Sequence, residues 1–246
     1  GKIANSFAKD LNNLDDHFVA AVGSRTIATA QNFASKFPGC IGYGSYTDLL
    51  SNASLHGIYI ATPNNFHLEH TLLALEAGKP VLCEKPIAIN TTEVQLMVDV
   101  ANQNQLTLVE AMWTRFLPHI YKVRQIIDSG VLGNIQTLQA DHGQNLSNLK
   151  NPRIWEPTLG GGALLDLGIY VVSFSHLILG SPRKITAKSN FTDKGVDIQT
   201  SAIFEYNNDS QAILTTTLNN ATPCKAIVSG KKGYLEIDGF FYKPTS

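Results

Sequence analysis

Cysteine is scarce in this sequence, and its scarcity narrows the chemistry at once. Cys40, Cys83 and Cys224 are far apart, odd in number and form no C-x-x-C pair, which argues against a disulfide framework and a structural zinc site. A reducing compartment is the simplest reading. Charge is thin too: charged residues make up 16% of the chain, the formal net charge is -1 at pH 7, and the basic residues are scattered. Nothing there suits a nucleic-acid face or a polybasic membrane patch. Long apolar runs are also missing. The most apolar stretch, 169–179, is cut by Ser173, Ser175 and His176 and falls short of the roughly 18 residues a membrane span requires. No signal peptide precedes it. These absences predict a cytoplasmic protein whose partner is a small soluble molecule.

What is present is a β/α alternation. Amphipathic helical stretches at 3–14, 26–37, 65–77 and 92–103 alternate with short apolar runs at 18–22, near 41, and at 57–61, 80–83 and 106–109. Strands separated by helices need crossovers, which predicts a parallel, doubly wound sheet. After Trp113 the texture changes. A helix at 118–129 and an alternating strand at 135–141 lead into a loop containing Asn151-Pro152. An apolar helix follows over 163–179. Runs at 183–190, 197–206, 210–219, 224–229 and 233–238 then read as strands joined by Asn, Asp and Gly turns,. The predicted fold is therefore α/β plus α+β. Residues 1–112 form a dinucleotide-binding Rossmann domain, and residues 113–246 form a second domain with a large, mainly antiparallel open sheet. Both ends read as cut: the first strand of the Rossmann domain is missing, and 240–246 stop inside what reads as another hairpin.

The residues that could carry chemistry fall at the ends of these runs. Gly1-Lys2-Ile3-Ala4 matches either the tail of a G-x-G-x-x-G/A turn, where backbone approaches pyrophosphate at a helix N-terminus, or a plain loop-to-helix start,. The second strand ends in Gly23-Ser24-Arg25, where NAD binding to a ribose 2'-hydroxyl would call for a carboxylate,. A hydroxyl and a guanidinium suit a 2'-phosphate instead; the plainer alternative is an N-cap serine beside a solvated arginine.

Thr62-Pro63-Asn64-Asn65-Phe66-His67 follows a strand and opens a helix, at the end of a parallel sheet where ligands bind,. Asn64 also reads as an ordinary cap. His67 with His70 has the spacing of a metal pair, but no third ligand follows, so no metal is expected. Cys83-Glu84-Lys85-Pro86 puts two opposite charges at the carboxyl end of a strand. A lysine partly desolvated beside a cationic nicotinamide would be a usable proton donor or acceptor, whereas alone it would be a surface lysine before a turn proline. Finally, Gly160-Gly-Gly precedes a helix in which Asp166 and Tyr170, four apart, share a face,. Singly they read as a residue answering the helix dipole and a core tyrosine; together, below three glycines, they suggest a polar site.

In combination, Gly1-Lys-Ile-Ala4, Ala61-Thr-Pro-Asn64 with His67, Glu84-Lys85-Pro86 and Gly160-Gly-Gly-Ala-Leu-Leu-Asp-Leu-Gly-Ile-Tyr170 resemble the glucose-fructose oxidoreductase / inositol dehydrogenase family (Gfo/Idh/MocA). The resemblance runs the length of the chain and leans toward the branch with dimeric dihydrodiol dehydrogenases. It implies an NADP- or NAD-dependent oxidoreductase acting on CH-OH groups, with NADP favoured, and a small sugar-like, dicarbonyl or dihydrodiol substrate. Lys85 takes the place of the family's catalytic lysine, Tyr170 that of its acid/base and Asp166 that of its site carboxylate. Gly1, Ile3, Ala4, Ser24, Arg25, Thr62, Asn64, His67, Glu84 and Lys85 are implied to hold the cofactor, and Trp113, Arg115 and Phe116 to meet substrate. Many sugar and inositol dehydrogenases of the family have His at the position of Tyr170 and Asp at that of Ser173, which counts against an inositol-type substrate. A homo-oligomer, dimer or tetramer, built through the second domain's sheet is implied as well. The alternative is a dinucleotide-binding regulator of the same fold without turnover, which would have no need to keep Lys85, Asp166 and Tyr170.

Overall fold

Each short apolar run in the first hundred residues becomes a three-residue strand, and the stretches between them become the helices that cover it. In the computed structural model, residues 1–149 and 152–244 are described, and the chain divides into two units, Gly1–Ala111 and Met112–Ser246. The first unit runs α1 (Lys2–Leu11), β1 (Ala21–Gly23), α2 (Ile27–Ala34), β2 (Ile41–Tyr43), α3 (Tyr46–Leu50), β3 (Ile58–Ile60), α4 (His67–Glu76), β4 (Val81–Cys83), α5 (Thr91–Gln103) and β5 (Leu108–Glu110). Helix starts follow local capping chemistry. Ser45 accepts the Asp48 N–H at 3.0 Å, and Asn90 accepts that of Glu93 at 2.9 Å while the Glu93 carboxylate returns to Asn90 and to the Ile89 N–H,. The first of these opens α3, a helix not anticipated above; the signal was Ser45 three residues before an acidic residue.

All strand pairs in this unit are parallel. They form two sheets, β1-β2 and β3-β4-β5, where one doubly wound sheet was expected; among the described residues no strand joins them. Ile60, Val81 and Cys83 pack with Ala74, Leu75, Met97 and Ala101 of the covering helices.

The second unit contains α6 (Pro118–Asp128), β6 (Ile135–Gly143), α7 (Pro152–Trp155), a π-helical turn over Leu164–Gly168 that runs into α8 (Ile169–Leu179), then β7 (Lys184–Phe191), β8 (Asp197–Glu205), β9 (Gln211–Thr217), β10 (Ala226–Gly230) and β11 (Gly233–Ile237). The strands make one six-stranded sheet in the order β11-β10-β6-β9-β8-β7, antiparallel except for β6 with β9. Period-two alternation gives the sheet its two faces. Leu138, Ala140, Ala212, Leu214, Ala226 and Val228 are buried with Val171 and Phe174 of α8 and Ile120 and Val123 of α6. The intervening Gln139, Asp141, Ile213, Thr215, Lys225 and Ile227 line a shallow depression on the other face.

Two expectations change here. The apolar stretch is longer than the sequence suggested: Pro157–Leu179 is long and apolar enough to cross a membrane by length and composition, yet Tyr170, Val171 and Phe174 within it are buried against the sheet. And 240–244 do not begin a hairpin. Phe240 has a φ of 62°, which turns the chain back so that Phe241 donates its N–H to the Cys224 carbonyl at 3.0 Å and lies fully buried. Residues 245–246 lie outside the described residues, as does Asn151 of the loop expected before α7.

Removing the Phe241 ring leaves a cavity in the core of the second unit, so Phe241→Ala is expected to cost that unit about 3–5 kcal/mol. Urea denaturation would register this as a lower midpoint with an unchanged slope; a midpoint within error of the parent would contradict the packing described.

Candidate active site

Parallel sheets offer ligand sites beyond the carboxyl ends of their strands, and in the first unit the motif residues collect at such ends. Ser24 and Arg25 follow β1, Thr62 and Asn64 follow β3, and Glu84 and Lys85 follow β4. Ser24 is half-buried and Arg25 is exposed. Gly1 caps α1 without a side-chain hydrogen bond, and Ile3 in its first turn is exposed. Asn64 is buried.

The turn at 84–87 is held from three sides. Tyr59 of β3 donates to the Glu84 carboxylate, whose other oxygen accepts the Lys85 N–H at 3.2 Å. Burial, reinforced by that hydrogen bond to Glu84, raises the Tyr59 phenol well above its ordinary range, so it stays a donor,. From β5, Glu110 accepts the Ile87 N–H at 2.9 Å. From α4, His67 reaches across with Nδ1 2.8 Å from the Pro86 carbonyl and Nε2 2.9 Å from the Thr62 carbonyl. Both partners are carbonyl acceptors, and which ring nitrogen donates depends on the tautomer,. His67 has no exposed surface; it ties the two motif segments together. Cys83 is fully buried, and desolvation pushes its thiol up to about 12, which keeps it protonated,.

In the second unit the three glycines have a packing role. A side chain on Gly161 would stand 2.5 Å from the Ile154 carbonyl oxygen, and one on Gly162, where φ is 119°, 2.1 Å from Asp197 Oδ1. Freed of those atoms, the turn folds onto α7, with Gly162 donating to the Ile154 carbonyl at 3.0 Å. This lets the Arg153 guanidinium meet Asp166 at 2.7 Å. It also lets Asp197 of β8 accept the Leu164 N–H at 2.8 Å and the Thr200 hydroxyl at 3.3 Å, capping the helix that carries Asp166 and Tyr170. Arg153 and Asp197 were not singled out from the sequence. Each lies outside every motif; the one usable signal was the triple glycine, which marks a close approach without saying of what.

Tyr170 sits in an aromatic cluster. The Trp113 indole N–H donates to its hydroxyl at 3.3 Å, His142 meets its ring edge-on at 5.0 Å, and His142 stacks on Tyr242 at 3.9 Å. Tyr242 also lies 5.1 Å from Tyr170. The segment bearing Tyr242 is tied down by the Thr114 hydroxyl at 3.3 Å on the Tyr242 carbonyl and by His119 at 2.8 Å on the Phe241 carbonyl. Arg115 turns to α8, donating to the Ser173 hydroxyl at 2.9 Å and reaching His176 at 3.5 Å, while Trp113 and Phe116 expose much of their rings. The structure thus groups Trp113, Arg115 and Tyr170, sets Asp166 on Arg153, and places His142, Gln144 and Tyr242 beside them, three residues the sequence reading did not name.

Comparison with known proteins shows which family the chain resembles. Residues 1–112 match the oxidoreductase family with an NAD-binding Rossmann fold, and residues 120–236 match the GFO/IDH/MocA C-terminal domain. The trans-1,2-dihydrobenzene-1,2-diol dehydrogenase of Xenopus tropicalis is 35% identical over 250 residues, 100% of this chain and 75% of its own length. That of Mus musculus is 38% identical over 241 residues, 96% of this chain and 72% of its own. A crystal structure of a 3-ketoreductase from Actinomadura kijaniata, in complex with NADP and TDP-benzene, superposes with a TM-score of 0.86 at 27% identity, covering 95% of this chain and 72% of the other.

Burial raises the Asp197 carboxyl above its ordinary range, outweighing the hydrogen bonds that lower it. A carboxyl raised on folding binds more protons folded than unfolded, so its contribution to stability falls as pH rises from the ordinary carboxylate range through the raised value. Asp197→Asn keeps an acceptor for Leu164 and removes that titration. Thermal melts across this window are expected to show the parent losing ground against the variant as pH rises; parallel curves would overturn the assignment.

Proposed function

Since the chain belongs to the Gfo/Idh/MocA family of NAD(P)-binding oxidoreductases, we propose that it uses NADP in preference to NAD, with residues 1–112 holding the dinucleotide and residues 113–246 the substrate. The reaction class is oxidation or reduction at a CH-OH group of a small molecule, as in the family. The residues at the strand ends fit a phosphorylated dinucleotide. The first turn of α1 at Gly1, Ile3 and Ala4 suits a pyrophosphate, and Ser24 with Arg25 suits a 2'-phosphate, no carboxylate standing at that strand end,. Thr62, Asn64 and Glu84 complete the cradle, and His67 shapes it by holding the Thr62 and Pro86 carbonyls.

A bound nicotinamide supplies the hydride donor or acceptor; this chain's side chains handle the proton. In the oxidative direction the substrate hydroxyl gives its proton to the Tyr170 oxygen, and in the reductive direction that oxygen returns it. A free tyrosine titrates near pH 10, so the phenolate form needs help. The observation that carries the reading is the Trp113 N–H aimed at the Tyr170 oxygen at 3.3 Å, a donor that favours the charged form. Lys85, at the end of β4, is proposed as a second group able to hold or move a proton beside a bound nicotinamide,. Asp166 orients substrate, Trp113 and Phe116 give it an aromatic wall, and Arg115 fixes the Trp113–Phe116 turn to α8. The substrate class proposed is a sugar-like, dicarbonyl or dihydrodiol compound.

The outer face of the six-stranded sheet, with Ile203 and Ile213 paired and exposed, is proposed to pair with a second copy, giving a dimer or tetramer. The three free cysteines suit a reducing cytoplasm.

Two variants test the assignment by NADPH and NADH oxidation against aldoses, ketoses and dicarbonyls. Lys85→Ala is expected to lower kcat by about a hundredfold or more, as loss of a proton-transfer group does; unchanged turnover would refute its role. Arg25→Ala removes a charge-assisted contact, and the preference for NADPH over NADH should shrink about tenfold. A preference that does not move would return Arg25 to the solvent.

A further inference from the structure

Asp166 of the second unit is met by a guanidinium, and the sequence around it is built so that this can happen. Arg153 lies 13 residues away on α7, and its NH2 group stands 2.7 Å from Asp166 Oδ1, with the two side chains 29% and 14% exposed. A surface ion pair of long, freely rotating side chains would contribute little. This one is different in kind: the Asp166 side chain is largely enclosed, and the guanidinium is brought to it by a turn that tolerates no side chain at Gly161 or Gly162. The backbone of the same turn is pinned at both ends, Gly161 and Gly162 donating to the Glu156 and Ile154 carbonyls.

We propose that Arg153 is a positioning residue for the substrate: by holding Asp166 Oδ1 it fixes the plane of that carboxylate, and the fixed carboxylate accepts a hydrogen bond from a substrate hydroxyl other than the one that reacts. This rests on the reading of Asp166 as the carboxylate that orients substrate and deepens it. The physical basis is that an ionised carboxylate, acceptor-only, can bind a hydroxyl group but has nothing to offer a bare carbonyl. A preference for vicinal diols and polyols over simple dicarbonyls follows. It resides in a pair whose second member is far from any motif.

The test is a double-mutant cycle in the full chain, using Arg153→Met, Asp166→Asn and the two combined, with Arg153→Lys as the conservative variant. Steady-state kinetics would be measured with trans-1,2-dihydrobenzene-1,2-diol, glucose and the dicarbonyl methylglyoxal, together with NADPH affinity and melting temperature for every variant. Arg153→Met is expected to raise KM for the hydroxylated compounds by about tenfold, with a smaller change in kcat and unchanged NADPH affinity. Methylglyoxal should be nearly unaffected. Arg153→Lys should recover part of the loss. In the Asp166→Asn background the effect of Arg153→Met should vanish, because the group it positions is gone. Equal losses in both backgrounds, or a fall in melting temperature with KM unmoved, would overturn the proposal by making Arg153 merely structural. If Asp166→Asn by itself left every KM and kcat unchanged, or the parent turned over none of the three compounds, the underlying reading of Asp166 would fall and this one with it. If Asp166→Asn raised KM and Arg153→Met did not, only the role of Arg153 would fall.

Discussion

The helix over 164–179 carries both Asp166 and Tyr170, so the place where it begins decides where both groups lie. The first turn of any helix has N–H groups without helical partners, and here one of them is met by a carboxylate from a strand more than thirty residues later in the chain, Asp197 on Leu164. That contact sets conditions on everything around it. Gly162 must lack a side chain because Asp197 stands where a Cβ would be, and Gly161 must lack one because the turn lies on the α7 carbonyls. The opening turn is π-helical over Leu164–Gly168 before α8 proper, so Asp166 projects from a widened turn toward Arg153. π-turns of this sort gather at functional sites. With the start fixed, the buried face of α8 packs through Val171 and Phe174 onto the sheet, and Tyr170 is delivered to Trp113 and His142.

The first unit solves a comparable problem without a long helix. Its motif residues sit on turns after three-residue strands, too short to hold a turn by backbone pairing alone. Side chains take over: Tyr59, Glu110 and His67, each from a different element, grip the 84–87 turn. His67 does the most, since it joins the end of β3 to the end of β4 through two carbonyls and is fully enclosed while doing so. The same logic explains the inertness of Cys83. Buried under that turn, its thiol is a small core group and not a nucleophile,.

Most of the architecture was legible because period and punctuation carried it. Short apolar runs divided by amphipathic stretches gave the parallel β/α part, and alternating runs with Asn, Asp and Gly turns gave the six strands to within a few residues. Boundaries moved where capping decided them: α3 begins at a serine cap that periodicity does not reveal, and β1 keeps only two of the five residues in its apolar run, Ala21 and Val22. The site was legible where a motif placed a side chain at a strand end, as with Ser24, Arg25, Glu84 and Lys85. It was illegible where the partner was distant in sequence. Arg153 on Asp166, Asp197 on Leu164, and Tyr242 against Tyr170 are tertiary pairings with no local spacing, and His67 looked like half of a metal pair because the two carbonyls that occupy its nitrogens belong to other segments. The triple glycine lies just before the pair that suggests a polar site; its demand for space comes from the protein's own α7 and β8.

The aromatic cluster gives its two phenols different surroundings. Tyr170 and Tyr242 lie 5.1 Å apart and share His142 as a neighbour, and two phenolates at that range would repel. Tyr242 is withdrawn from the competition: desolvation, with nearby groups adding to it, pushes its phenol up to about 12, so it remains neutral near neutral pH. It then serves as a wall and as the acceptor for the Gln144 amide at 3.2 Å. Tyr170 has instead the Trp113 N–H aimed at its oxygen, a contact that stabilises negative charge where a proton would be given up. The asymmetry comes from which element each tyrosine rides on. Tyr242 is anchored by its backbone to Thr114 and His119, and its hydroxyl takes the Gln144 amide. Tyr170 projects from a helix whose register is set at its far end by Asp197.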